Sequence, residues 1–450
     1  MNRVVVIGAG LAGLTAAADL RHAGVDVIVL EARDRVGGRT HGVEVAPGAW
    51  IDGGAAYLGD RHTDLAKMIA DLGLKTTPTT MEGRSSFVLG PERIVREGRF
   101  PPLNAVALGE LFDGLDDLVR RVRPQAPWQS DIPDDETAAD WAVRTLTHPD
   151  ARTFFPLFLG EMMAADPADV SVLHMAFYLS SGGGLRYLNA FEGGAQDSRV
   201  DGGAHQLCER LAAELGGDAV RLDSPVHAVE QTTGPVTVHA GGSAYACDAV
   251  VVAVPPALAD EITYQPGPVA RRTTGRTAPG RAVKVHLIYP EPLWREQGLS
   301  GWSVNAAGPL LSTVDDSPVG GGAGVLTGFV TGRAATRYAA LTPEEQRREA
   351  IAQASAIFPG LPAPTGFHVT NWVRETYSRG CYAALFGPGD WRVLGPRLST
   401  PDGRIHWAGA ETSTEFFGLM EGAIRSGHRA AARILAHTEP SRNQQPPLSS

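Results

Sequence analysis

Cysteine is scarce in this chain of 450 residues, which contains only Cys208, Cys247 and Cys381. Three scattered thiols cannot form a disulfide scaffold, and no Cys-x-x-Cys pair indicates a zinc site. His205 lies three residues before Cys208, but two ligands without a third do not form a metal site, so we predict none. Free thiols suit a reducing compartment, which predicts a cytoplasmic location.

Long apolar runs are also missing. No stretch of about 18 apolar residues could span a bilayer, and the first apolar run lacks the layout of a signal peptide, so we expect no membrane anchor. The sequence has no G-x-S-x-G elbow and no Walker loop, which leaves hydrolases and nucleotidases without support. A formal net charge of −10 argues against nucleic acid as a partner.

The chain does have a segment suited to a dinucleotide, at residues 4–40. An apolar run at 4–7 predicts a strand buried on both faces, and the G-x-G-x-x-G pattern of residues 8–13 follows it directly. These glycines permit a tight turn, a close approach of backbone amides to a pyrophosphate, and close packing of the next helix. Glu31 ends a second strand, where its carboxylate can bind ribose hydroxyls and would repel a 2′-phosphate. The predicted contacts within the glycine pattern are Gly8, Gly10, Leu11, Ala12 and Gly13.

The residues after Glu31 indicate which dinucleotide is bound. Adjacent glycines and several guanidinium groups suit close approach to a second phosphate and paired charges. Residues 31–40, EARDRVGGRT, resemble the E-A-R-x-R-x-G-G-R motif of FAD-dependent amine oxidases. The resemblance implies FAD and an α/β fold, in which a glutathione-reductase-like Rossmann domain is interleaved with a substrate domain of mixed β-sheet plus helices. The cofactor contacts that it implies here are Glu31, Ala32, Arg33, Gly38 and Arg39.

The composition, with 43% hydrophobic residues, allows a sizeable core, and there is no internal repeat or clean linker. We therefore expect two domains that exchange segments. The FAD-binding domain is predicted to comprise residues 1–80, 200–280 and 380–438, and the substrate-binding domain residues 81–199 and 281–379. The polar, proline-bearing segment 439–450 is predicted to be a disordered tail.

Other segments resemble cofactor-binding parts of the same family. Residues 48–55 look like the loop that covers the flavin, and Val226 matches a position where the family's backbone meets adenine. Residues 405–423 resemble the A-G-x-E-T…G-x-x-E-G-A segment of monoamine oxidases, and a helix N-terminus there can stabilise negative charge on the cofactor. The resemblance implies that Glu411 faces the ribityl chain and that the backbone near Met420 faces the flavin ring. The contacts implied by these segments are Gly53, Gly54, Val226, Gly409, Glu411, Leu419 and Met420.

Lysine is scarce as well, since only three of the 40 lysine and arginine residues are lysines. In the strand predicted near residues 281–289, alternation places Lys284 and His286 on one face and apolar side chains on the other. A lysine in such a strand needs a partner, and burial would lower its pKa. A lysine that reaches solvent from an edge strand is the alternative. The family has a lysine here, water-bridged to flavin N5, which implies that Lys284 acts in the reaction of the flavin with oxygen.

Residues 371–382, NWVRETYSRGCY, are similar to a monoamine-oxidase segment that carries the flavin attachment. In that segment a cysteine is thioether-linked to the flavin 8α carbon, and the next tyrosine forms one wall of an aromatic cage. The resemblance implies that Trp372 packs near the flavin, that Cys381 is the attachment point and that Tyr382 stacks beside the amine. Arg379 stands where that segment has glycine, so noncovalent FAD is an alternative.

The substrate pocket departs further from the family pattern. Leu419 stands where monoamine oxidases have the second tyrosine of the cage, although Phe416 or Phe417 could partly compensate. This difference predicts a substrate other than a generic arylalkylamine. Gln196 matches a family glutamine beside substrate and flavin. The predicted pocket residues are Tyr382, Leu419, Gln196 and Phe417, and the predicted catalytic residues are Lys284, Tyr382, Gln196 and Trp372.

The reaction that the resemblance implies is oxidation of an amine to an imine, which hydrolyses to an aldehyde or ketone, while O2 becomes hydrogen peroxide. An L-amino-acid oxidase is the main alternative; it needs an arginine for the substrate carboxylate, for which Arg186 and Arg379 are candidates. A desaturase and a flavoprotein without turnover are lesser alternatives. The expected partners are an amine and O2, and the resemblance suggests a homodimer.

Overall fold

A computed structural model of the chain describes residues 3–267, 277–318 and 322–437. The predicted tail at 439–450 lies outside these ranges. The strands are β1 (Arg3–Ile7), β2 (Asp26–Leu30), β3 (Gly42–Ala46), β4 (Ala49–Asp52), β5 (Tyr57–Leu58), β6 (Thr76–Pro78), β7 (Arg84–Val88), β8 (Ile94–Arg96), β9 (Ser198–Val200), β10 (Val220–Arg221), β11 (Val226–Gln231), β12 (Val236–Ala240), β13 (Ser243–Cys247), β14 (Ala249–Val252), β15 (Thr263–Gln265), β16 (Thr277–Pro279), β17 (Ala282–Tyr289), β18 (Leu299–Asn305), β19 (Ser312–Asp315), β20 (Gly324–Thr331), β21 (Gly366–Asn371), β22 (Ala384–Phe386) and β23 (Ile405–Trp407).

The α-helices are α1 (Leu11–His22), α2 (Thr63–Asp71), α3 (Ala105–Arg121), α4 (Ala138–Thr145), α5 (Pro149–Met163), α6 (Val172–Ser181), α7 (Leu185–Asn189), α8 (His205–Leu215), α9 (Pro256–Ala259), α10 (Gly332–Ala340), α11 (Pro343–Ile357), α12 (Asp390–Leu394) and α13 (Met420–Ala436). No helix among the described residues is both long and apolar enough to cross a membrane.

A five-stranded parallel sheet, in the order β10-β2-β1-β14-β23, forms the centre of the nucleotide-binding half. Its middle strand is buried on both faces, as the apolar run predicts: Val4 and Val6 pack against α1, α8 and α13, while Val5 and Ile7 pack against a second sheet, β13-β12-β11-β15. All five strands come from segments that we assign to the FAD-binding domain, a division that stays a prediction. The parallel strands end at one edge, where the glycine turn follows β1.

Residues 220–231, whose sequence predicts one strand, form two. β10 joins the parallel sheet and β11 joins the second sheet, with Asp223 between them in the left-handed region at a φ of 50°. Pro225 follows, and because proline has no N–H it cannot continue a ladder of hydrogen bonds. The strand therefore breaks here and changes sheet.

A seven-stranded mixed sheet, in the order β21-β17-β20-β19-β18-β7-β8, forms the centre of the other half. α10 and α11 cover one face, where Val283 and Val285 of β17 are buried. Helices α3 to α6 build a large core with residues of β18 to β20 on the other side. Lys284 lies opposite Phe329 of β20 and Thr370 of β21, so this strand is central and the lysine is not on an edge.

Candidate active site

A cavity of about 500 Å³ begins at the carboxyl ends of β1, β2 and β14 and reaches the seven-stranded sheet at β17 and β20. Ligands of open α/β sheets bind in this position, beyond the carboxyl ends of the strands. The predicted site residues that line the cavity are Gly8, Gly10, Leu11, Ala12, Glu31, Ala32, Arg33, Gly38, Arg39, Gly54, Gln196, Val226, Lys284, Cys381, Tyr382, Gly409, Leu419 and Met420. Those outside the lining are Gly13, Gly53, Trp372, Glu411 and Phe417.

Some glycines of the turn at residues 8–13 allow close packing, and one leaves space for a ligand. Gly8 has a φ of 100°, and a Cβ on it would lie 2.8 Å from the carbonyl oxygen of Ala253. A Cβ on Gly13 would lie 2.0 Å from the carbonyl oxygen of Gly8, so α1 packs on the turn only because this residue is glycine. A Cβ on Gly10 would meet no protein atom within 4 Å. The space above Gly10 is therefore part of the cavity, which suits close approach of a phosphate.

The N-terminus of α1 adjoins that space without a side-chain cap. Gly10 is the N-cap residue, and the first turn contains no acidic side chain. The N–H groups at a helix N-terminus, together with the helix dipole, favour an anion there. The structure thus fits a pyrophosphate held by backbone groups.

Glu31 is 3% exposed and holds the glycine turn as well as lining the cavity. Its carboxylate accepts hydrogen bonds from the backbone N–H groups of Ala9 at 2.8 Å and Arg33 at 3.0 Å. The predicted ribose acceptor is therefore already fixed in position by the backbone around it.

Two of the guanidinium groups after Glu31, predicted to pair with a phosphate, pair with protein carboxylates. Arg39 donates to both oxygens of Glu411, at 2.6 and 2.9 Å, and to the carbonyl of Tyr382 at 2.7 Å. Burial alone would raise the pKa of Glu411, but Arg39 outweighs it and the pKa lies below its ordinary value. Arg33 is likewise bound to Glu375. Because an unpaired buried charge is costly, these arginines fix the loop, and the backbone is left to meet the phosphates.

Lys284 lies at the junction of the two halves. It is 3% exposed, and its ammonium donates to the carbonyl oxygens of Asp52 at 2.6 Å and Gly54 at 3.1 Å. Its Nζ also lies 5.3 Å from the centre of the Phe329 ring. Burial lowers the pKa of this lysine. The resemblance implies a water that bridges this lysine to flavin N5; the structure adds the two carbonyls.

Trp372 contacts the loop at residues 52–54 from the side away from the cavity. Its Nε1 donates to the carbonyl of Gly53 at 2.9 Å, and a Cβ on Gly54 would lie 3.1 Å from its ring. Trp372 is 1% exposed. Because neither Trp372 nor Gly53 lines the cavity, both act through the shape of residues 52–54.

Cys381 and Tyr382 line the cavity next to this loop, and the peptide bond between them is cis. Burial raises the pKa of the Cys381 thiol to about 11, and burial also raises the pKa of Tyr382 above its ordinary value. Arg379 has a φ of 58°, in the region that glycine favours, and its guanidinium pairs with Glu261. The departure at Arg379 therefore changes a turn and leaves the cysteine in the cavity.

At the far end, Leu419 and Gln196 line the cavity, and Gln196 donates to the carbonyl of Leu188 at 3.2 Å. Phe417 does not. It is 1% exposed and packs edge-on against His174 and Phe177, with ring centroids 5.5 Å apart in each case. The expectation that Phe417 lines the pocket is corrected, because burial among these rings removes more of its surface from water than the pocket would.

Several residues that line this end of the cavity are not among the predicted site residues. Met162, which the helical pattern favours as core, lines the cavity, as do Tyr57 and Glu161. Glu161 is an acidic residue in an otherwise apolar stretch of α5, which was the available signal. No such signal marked Tyr57.

His205 and Cys208 have different neighbours. The His205 ring lies 4.8 Å from the Trp50 ring, and Cys208 is buried in the core around α1. Among the residues that the structure describes, no three His, Cys, Asp or Glu side chains come together to hold a metal ion.

Comparison with known proteins gives consistent matches. The family described as "Flavin containing amine oxidoreductase" matches residues 11–435. A Dictyostelium discoideum protein named "probable flavin-containing monoamine oxidase A" is 35% identical over 442 residues, covering 96% of this chain and 97% of that protein. Putrescine oxidase bound to putrescine superposes with a TM-score of 0.91 and 32% identity, covering 97% and 99% of the two chains. Cyclohexylamine oxidase from Brevibacterium oxydans gives 0.92 and 32%, covering 98% and 100%.

Proposed function

This chain belongs to the flavin-containing amine oxidoreductases, and from that premise we propose how its residues perform FAD-dependent oxidation of an amine. The predicted family, two-domain α/β fold, flavin cofactor and amine oxidation are confirmed by the similarities. When bound, FAD supplies the redox chemistry: it takes a hydride equivalent from the carbon beside the nitrogen and passes the electrons to O2. The remaining question is what the chain itself contributes.

The residues present fit FAD. Gly10 and the uncapped N-terminus of α1 would hold the pyrophosphate, Glu31 the ribose, and Val226 the adenine end. The N-terminus of α13, whose N-cap Leu419 makes no side-chain cap, would face the flavin end. The observation that carries this proposal is that one cavity joins the glycine turn to Lys284, Cys381 and Tyr382.

We assign Tyr382, Leu419 and Gln196 to the walls that orient the amine and exclude water. Lys284 holds the loop at residues 52–54 through two carbonyls, and since an ammonium has three donors, one N–H is left for the cavity. That N–H would orient water or oxygen. Of the two cage positions, Tyr382 carries a ring and Leu419 does not, and the names of both structural neighbours refer to aliphatic amines, which supports an aliphatic substrate here.

We also propose that Cys381 is the attachment point of FAD. Its thiol lies in the cavity, next to Tyr382. Forming the bond from Sγ to the 8α carbon removes the thiol hydrogen and one methyl hydrogen, which O2 accepts to give hydrogen peroxide. A Cys381→Ala variant tests this, since the yellow colour should then leave the acid-precipitated pellet and appear in the supernatant.

An L-amino-acid oxidase is not favoured. Arg186 does not line the cavity, and the guanidinium of Arg379 pairs with Glu261. Glu161, in contrast, places a carboxylate in the cavity, where it would repel the carboxylate of an amino acid. A cytoplasmic location is proposed from the three free cysteines, and a homodimer from the family resemblance; sedimentation measures the latter.

The experiment is an absorbance spectrum of the purified protein, followed by aerobic assays for hydrogen peroxide with a panel of aliphatic and aromatic amines. We expect a flavin spectrum and peroxide with aliphatic amines. A colourless protein, or a yellow protein that gives no peroxide with any amine, would contradict the proposal.

A further inference from the structure

Among the residues that the structure describes, three carboxylates line the cavity, and one of them lacks a clear role. Glu31 holds the glycine turn through two backbone N–H groups, and Glu261 pairs with Arg379. Glu161 lies near the C-terminal end of α5 and lines the cavity together with Tyr382. Burial is the main cause that raises the pKa of Tyr382, and Glu161 adds to it, so the two groups are close. Glu161 therefore faces the space that we assign to the substrate.

Glu161 has no cationic partner within the described ranges. Its carboxylate accepts one hydrogen bond, from the hydroxyl of Ser312 at 2.6 Å, and burial raises its pKa to about 7. Glu161 is half-buried, and removing even part of a carboxylate from water without a counter-charge is costly. A polar group retained at such a cost in a ligand cavity is a candidate binding group.

Arg99 lies nearby but does not neutralise Glu161. The two residues line a smaller cavity of about 50 Å³. The guanidinium of Arg99 lies 4.7 Å from the centre of the Phe100 ring, and burial alone lowers its pKa to about 10. No neighbouring carboxylate contributes to that shift, so the negative charge of Glu161 is left for a ligand.

We propose that the substrate carries a second positively charged group and that Glu161 binds it, which makes aliphatic diamines the preferred substrates. This rests on the proposed amine oxidation: the neutral amine reacts beside Tyr382, and the distant ammonium pairs with Glu161. Ser312 occupies one carboxylate oxygen and leaves the other for the ammonium. Met162 and Leu188 line the same cavity and can contact the methylene chain.

The test compares each diamine with the monoamine of the same chain length, such as putrescine with butylamine and hexamethylenediamine with hexylamine. The holoenzyme, its Glu161→Gln variant and a Glu92→Gln control at an exposed position are assayed for peroxide. A charge-assisted hydrogen bond makes us expect kcat/KM about 10- to 100-fold higher for the best diamine than for its monoamine. In Glu161→Gln that ratio should fall to about 1, whereas the Glu92→Gln control should keep the wild-type ratio.

Glutamine keeps the shape of the side chain and can still accept a hydrogen bond from Ser312. The flavin content and Tm of Glu161→Gln should therefore match those of the wild type. If they do not, Glu161→Leu serves as a second variant. Equal use of diamine and monoamine by the wild type would overturn this inference alone, because amine oxidation would still stand. An equal loss for both substrates in the variant, or a preference for amino alcohols over diamines, would also overturn it. No peroxide from any amine would instead overturn the proposed function, and this inference with it.

Discussion

The two ends of the cavity are built in different ways. At the nucleotide end, one short segment supplies the glycine turn, the helix N-terminus and Glu31, and backbone groups face the ligand. At the substrate end, side chains arrive from α5, β17, β20 and α13, far apart in the sequence. A site built from local backbone leaves a pattern in the sequence, whereas a site built from distant side chains leaves almost none.

The largest effect should come from breaking the buried ion pair that fixes the nucleotide end. Arg39→Met leaves Glu411, whose side chain is 3% exposed, without its counter-charge. We expect a loss of about 3–5 kcal/mol in the free energy of unfolding. The exposed pair of Arg379 and Glu261 is the matched control, since Arg379→Met should cost about 0–1 kcal/mol. Denaturant unfolding of both variants measures the difference, and equal losses would contradict the account of Arg39.

A Gly13→Ala variant should rank second. The added Cβ would lie 2.0 Å from the carbonyl oxygen of Gly8, so α1 must move away from the turn. Overpacking of this kind costs about 3 kcal/mol. The loss of stability should appear in the holoprotein and in the apoprotein, which thermal unfolding before and after flavin removal will show in a Cys381→Ala background, where no covalent bond holds the flavin. An apoprotein with unchanged Tm would mean that α1 adjusts freely.

A Gly10→Ala variant should separate ligand access from packing. Its Cβ meets no protein atom within 4 Å, so the free energy of unfolding of the apoprotein should change by less than about 1 kcal/mol. The methyl group would nevertheless occupy the space where backbone meets phosphate, and we expect FAD affinity to fall at least about 30-fold. Flavin titration of the apoprotein measures this, with Gly10→Ala made in a Cys381→Ala background, where no covalent bond holds the flavin. A variant that binds FAD normally would place the pyrophosphate elsewhere.

The contrast between a nucleotide end built from local backbone and a substrate end built from distant side chains also explains which features could be predicted from the sequence. The buried strand β1, the turn and the position of Glu31 follow from local pattern, and they lie where expected. The carboxylate partners of Arg33 and Arg39 could not be predicted from the local pattern, because Glu375 and Glu411 lie more than 300 residues away along the chain. Phe417 was misplaced for a related reason, since its neighbours His174 and Phe177 belong to a distant helix.

The smallest predicted effect concerns pH. Burial raises the pKa of Glu161 to about 7, so this carboxylate is charged above that pH and neutral below it. The kcat/KM ratio of diamine to monoamine should therefore fall about tenfold at most as the pH is lowered through about 7. Taking the ratio cancels deprotonation of the reacting amine, which both substrates share.

The groups that face Glu161 do not titrate in this range. Burial raises the pKa of Tyr57 and Tyr382 above their ordinary values, burial lowers that of Arg99 only to about 10, and Ser312 carries no charge. The nucleotide end should show no such dependence, because the pKa of Glu411 is held low and that of Arg39 is held high against their burial. Steady-state kinetics test the substrate end and flavin content tests the nucleotide end, both measured across the same pH series. A constant ratio would remove Glu161 from substrate recognition, and flavin loss near neutral pH would contradict the account of the Arg39 and Glu411 pair.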